Sequence, residues 1–119
     1  MKPLLEQMAE ALIARDALRL RELTLEWTRL RDPRVSFAPP ESGNRQVRIV
    51  AAALAELLAE RGRTNAPEWT KNEGVLGTPF FALAAAERLK SVKALCERES
   101  PEPLRRHGIF APANFLQLA

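Results

Sequence analysis

The stretch NRQVRIVAAALAELLAER, residues 44–61, decides the fold. Val47, Val50, Leu54, Leu57 and Leu58 recur at the spacing that puts them on one face of an α-helix. Ala51, Ala52, Ala53 and Ala55 let a second helix approach closely, and Ser42 or Asn44 supplies a cap. Its most apolar run, Ile49 to Ala59, is interrupted by Glu56 and falls short of the ~20 residues a membrane-spanning helix needs, so it reads as the central helix of a soluble core.

Working outward, residues 3–14 place Leu4, Leu5, Met8, Leu12 and Ile13 at helical spacing behind Pro3. Asp16 then caps or bends into a second helix, on which Leu20, Leu23, Trp27 and Leu30 form one stripe. Leu18 and Leu25 lie off that stripe, and the expectation is that they touch further neighbours, giving this helix contacts on two sides. Residues 32–44 hold Pro33, Pro39, Pro40 and Gly43, which predicts a crossover without regular helix, pinned by Val35 and Phe37. The long connection at 62–81 is expected to be anchored by Trp69, Val75, Leu76, Phe80 and Phe81. Beyond it come one broken helix or two short ones between Ala82 and Arg98, with Ser91 the expected interruption and cap, then a short turn of helix at 101–107 and a last helix near 112–118. Nothing alternates for long enough to demand a sheet. The expected fold class is all-α: one compact domain over residues 1–119, with about five to six helices and long ordered loops.

Hydrophobic residues at 46% and charged residues at 28% are ordinary for a soluble globular chain. Glu6 and Glu10 contradict a secretory leader, which makes the cytoplasm the expected location. The net charge of +3 arises wholly after Glu60: residues 1–60 carry nine basic and nine acidic side chains, and residues 61–119 carry nine and six. That excess permits nucleic-acid binding without the dense basic footprint of a dedicated binder. Arg15, Arg19, Arg29 and Arg31 are the arginines that would line such a face, interleaved with Trp27.

Chemistry concentrates in CERESPEPLRRHGIFAPANF, residues 96–115, which holds Cys96, the single cysteine, and His107, the single histidine. A nucleophile and its base would be these two, yet a third, orienting group is missing and Cys96 falls on an amphipathic segment as a small buried hydrophobe would. His107, before Gly108, reads as a residue of a last helical turn, at a cap or at the surface. Arg105 and Arg106 would hold a phosphate or a partner's carboxylate, or complement the helix end. Glu22, Glu26, Glu56 and Glu60 read as surface ion-pair members beside arginines. Ser100 is the expected cap of the short helix, with Pro101 in its first turn. One cysteine and one histidine do not make a zinc site, and phosphate-cradling glycine loops and nucleophile elbows are missing from the sequence. The expectation is no enzyme, no cofactor and no metal.

The segments ARDALRLRELTLEWTRLR, VRIVAAALAELLAERGRTNAPEWT and PEPLRRHGIFAPANFLQLA together resemble short helical proteins of GC-rich bacteria. Some of those occur as regulator-associated domains or beside nucleotidyltransferase-like toxin genes. The resemblance implies a partner-binding role, antitoxin-like or regulatory, without the preceding DNA-binding domain of the regulator-associated members. The residues expected to meet a protein partner or a second copy are Trp69, Phe80, Phe81, Arg105, Arg106, Phe110, Phe115 and Leu116. With Ile109 they form an exposed patch, or else they close the core.

Overall fold

The computed structural model describes residues 2–116 and is mainly α-helical around one hydrophobic core. Helix α1 spans Leu4–Ile13, α2 Ala17–Thr28, α3 Pro33–Ser36 and α4 Arg45–Arg61, the central helix the sequence indicates. Asn44 caps α4 by accepting from the amides of Gln46 and Val47, and Ala51, Ala52, Ala53 and Ala55 are fully buried. The small side chains bring α1 against α4, where Leu5, Met8, Val50 and Leu54 interdigitate. Each fully buried leucine there contributes on the order of 2 kcal/mol of transfer free energy.

Helix α2 follows α1 through a turn in which Arg15 adopts φ +55°, and Asp16 caps it by accepting from Arg19 N. Leu20, Leu23 and Thr24 are buried on its inner face. Leu18 and Leu25 depart from expectation: they are 69% and 37% exposed, so α2 packs on one side only.

The crossover at 32–44 does contain one turn of helix, α3, because Asp32 accepts from Arg34 N and Pro33 opens the turn. Its anchors also differ from those expected. Phe37 meets Trp27 edge to face at 5.3 Å, but Val35 is exposed. Three hydrogen-bonded groups do the pinning. Trp27 Nε1 donates to Ser36 O at 2.7 Å, and Trp69 Nε1 donates to Phe37 O at 2.9 Å. The buried carboxylate of Glu6 accepts from Glu41 N at 2.6 Å and Ser42 N at 2.9 Å.

One 3₁₀ turn, Glu68–Asn72, interrupts the long connection and a second, Ala84–Glu87, follows it, after which come α5 (Lys90–Glu99) and α6 (Glu102–Arg105). The break before α5 falls at Arg88 and Leu89 rather than at Ser91. Pro101 is the residue before the first turn of α6. Ser100 does not cap that helix. A minimal sheet joins β1 (Phe80–Phe81) to β2 (Ile109–Phe110) in parallel, with Phe80 opposite Ile109 and Phe81 opposite Phe110. Side chains cover both outer edges: Ser100 Oγ donates to Ile109 O and accepts from Ala111 N, and Arg15 Nε donates to Phe81 O. Residues 113–116 form a turn, not the start of the expected last helix, and residues 117–119 of that expected helix lie outside the described residues. Arg61 ties this turn down through the carbonyls of Ala113 and Phe115.

Candidate functional site

Beside the inner face of α2 runs an apolar groove of about 310 Å³. Buried Leu12, Leu20 and Ala82 line it, with exposed Ala17, Arg21 and Leu83 at its border. Phe115 and Leu116 complete the lining, so two of the partner-binding residues expected from sequence are brought beside α2. The groove lies where α1, the Arg15 turn and α2 meet residues 82–83 and 115–116. Arg15 itself is occupied, bonded to Glu87 at 2.8 Å and stacked 4.8 Å over the Phe80 ring. Beyond Arg21, around the outside of α2, lie Leu18 and Leu25, seven residues apart and therefore on one line. Neither leucine lines the groove; both are exposed apolar side chains on the far side of Arg21 from it.

The remaining expected residues sit elsewhere. Trp69 and Phe80 are half-buried and packed on the core, Phe81 and Phe110 stack on each other at 5.4 Å, and Ile109 is fully buried. These aromatic groups close the core. Arg105 turns inward to donate to Ser100 O at 2.9 Å, and Arg106 reaches Glu56 at 3.5 Å.

His107 is not at the surface. It is 5% exposed, with Nε2 2.5 Å from Glu56 Oε1 and Nδ1 2.6 Å from Gly74 O. Both ring nitrogens are thus within hydrogen-bond distance of an oxygen. Glu56, read from sequence as a surface ion-pair member, is instead a largely covered partner of this histidine and of Arg106. Nearby Arg48 pairs with Glu73 at 2.9 Å, which fixes the residue before Gly74. The cluster joins α4, the long connection and the residue leading into β2. Its nitrogens are committed to structure, so none is left to activate a nucleophile.

Cys96 is fully buried, and neither ring nitrogen of His107 is bonded to it. Burial raises the pKa of the thiol above the usual value, and the carboxylates of Glu97 and Glu99 push it further in the same direction. A thiol held protonated is a poor nucleophile. Among the described residues no group of three metal-ligating side chains gathers, and no helix is long and apolar enough to cross a membrane.

The arginines expected along α2 do not form one face. Arg15 is bound in the turn before the helix, Arg29 caps its C-terminus and Arg31 lies beyond it; only Arg19 and Arg21 lie within it. Trp27 uses its indole nitrogen to hold α3. Sequence reasoning found the leucines of α2 but gave them to the interior, and it missed Glu6 and Glu56 because an acidic residue in a helix looks the same on either face. No family model, curated protein or solved structure matches this chain.

Proposed function

We propose that this chain is a non-catalytic binding protein, antitoxin-like or regulatory in role, whose docking face is the outer side of α2 with the groove beside it. The observation that carries this reading is the exposure of Leu18 and Leu25 on α2, the helix that also walls a groove lined by Leu12, Leu20, Leu83 and Phe115. Covering Leu18 removes from water apolar surface worth about 1–2 kcal/mol, and covering the smaller exposed part of Leu25 adds less than about 1 kcal/mol. Support also comes from the committed state of His107 and the buried, protonated state of Cys96, which leave the chain's two best nucleophile and base candidates in structural roles. A lone buried thiol suits the cytoplasm as the place of work.

The test is retention of proteins from source-cell extract on the immobilised full chain. Leu18→Glu/Leu25→Glu is compared with wild type and with Val75→Glu, which alters an exposed residue outside α2. The expected result is a protein, this chain or another, retained by wild type and by Val75→Glu and lost from the α2 variant. Equal retention by all three overturns the reading. So does retention of nucleic acid alone, released steeply as salt rises.

A further inference from the structure

We infer that His107, Glu56 and the carbonyl of Gly74 form a proton-operated latch, closed while a proton is held between the ring and the carboxylate and released at Gly74 when that proton leaves. The latch is independent of what docks on α2.

The number of hydrogens in the cluster gives the mechanism. Gly74 O can only accept, so its 2.6 Å contact places a hydrogen on Nδ1. The 2.5 Å contact between Nε2 and Glu56 Oε1 needs a second proton, carried by the ring as imidazolium or by the carboxyl group, because two lone pairs at that distance repel. The closed form therefore holds one proton more than a neutral ring beside a carboxylate, and that proton belongs to the pair. When it leaves as pH rises, one ring hydrogen is left for two acceptors. Glu56 has the stronger claim, since a hydrogen bond to a carboxylate is roughly twice as strong as one to a peptide carbonyl. Nε2 keeps the hydrogen, Nδ1 turns a lone pair toward Gly74 O, and that tie is lost.

The surroundings permit this exchange and confine its effect. The ring is 5% exposed, yet it borders a cleft of about 310 Å³ through which a proton passes to solvent with the core still packed. Glu56 faces the ring from α4, and Arg106 lies 3.5 Å from the same carboxylate oxygen. Lys71 and Glu73 of the long connection line the cleft, and Glu60 and Glu102 line the neighbouring one beside Glu56 and Arg106. Glu73 is held by Arg48 at 2.9 Å, and Leu76 N donates to His107 O at 3.0 Å. Between those two fixed points, Gly74 and exposed Val75 are the residues that opening frees.

The experiment is nuclear magnetic resonance of the full chain from about pH 5 to about pH 9, the range in which a histidine changes charge. The single histidine gives one set of ring signals. In wild type the Gly74 carbonyl carbon and the Val75 amide should shift in step with those signals. Exchange of the Leu76 amide, corrected for its intrinsic rate, should quicken about fivefold as the tie is lost. Glu56→Gln should stay latched throughout, because its side-chain amide meets Nε2 as donor or acceptor and leaves the Nδ1 hydrogen for Gly74 O. Ring signals that move while Gly74 and Val75 stay still overturn the latch, as does a Glu56→Gln variant that follows the wild-type curve. A wild-type ring that keeps Nδ1–H on Gly74 O across the whole range overturns it too. Should Glu56→Gln fail to fold, the wild-type Gly74 signal set against the ring signals decides alone.

Discussion

His107 and Glu56 are bonded at 2.5 Å across 51 residues of sequence, and the contact lies almost entirely out of solvent. It ties α4 to the segment just before β2, and Gly74 O accepts from the other ring nitrogen at 2.6 Å. Removing one member strands the other in a low-dielectric site. His107→Ala should therefore cost about 3 kcal/mol, and Glu56→Ala a similar amount. A double-mutant cycle in urea should find the two losses far from additive, with the double variant little worse than either single one. Additive losses would mean that the pair is not coupled.

Glu6 is the counterpart at the other end of the core. Its buried carboxylate accepts from two successive backbone amides of the crossover, which otherwise have no helix or strand to satisfy them. Glu6→Ala should destabilise the protein by about 2–3 kcal/mol. Limited proteolysis should show new cleavage within residues 37–44, while Glu10→Ala, at a surface pair with Lys2, should leave the digestion pattern as it is.

Cys96 provides a prediction about pH. Its pKa is raised in the folded chain above the ordinary value of 9.0, so below that value both folded and unfolded thiols are protonated and stability is independent of this group. As pH rises past the ordinary value the unfolded thiol ionises first, and the stability associated with Cys96 falls until the folded thiol also ionises. Cys96→Ala should flatten that alkaline loss in a series of denaturation curves. In native protein the thiol should react with an alkylating reagent far more slowly than in urea.

Gly108 holds φ +87°, and a Cβ there would lie 3.4 Å from both Leu76 Cβ and Val75 Cγ1. Gly108→Ala forces a left-handed residue against two side chains of the long connection, at a cost of about 1–2 kcal/mol. Thermal unfolding should register that loss, and the amides of Leu76 and Phe80, bonded to His107 O and Gly108 O, should exchange faster.

The four longest helices were legible because each carries apolar residues at helical spacing, and two begin at a cap that also works in the structure: Asp16 and Asn44. The parallel pairing of β1 with β2 was not legible, since two residues per strand carry no alternation and their alignment depends on the Gly108 turn. Ser100 shows the same limit. A serine before a proline reads as a helix cap, yet its hydroxyl is used by Ile109 and Ala111, which only the folded chain brings near. For the candidate site, the seven-residue spacing of Leu18 and Leu25 was visible, but periodicity says which residues share a face and not whether anything covers it. Phe115 and Leu116 were named for their apolar character, and their position beside α2 comes from the Arg61 tether.

The claim that α2 is the docking face is tested most directly by amide chemical shifts of the wild-type chain, recorded from dilute to high concentration and then with any protein it retains. The account predicts shifts centred on Leu18, Arg21, Glu22 and Leu25 and extending to Leu83 across the groove. Shifts centred on Trp69, Val75 and Phe110, with α2 unmoved, would contradict it.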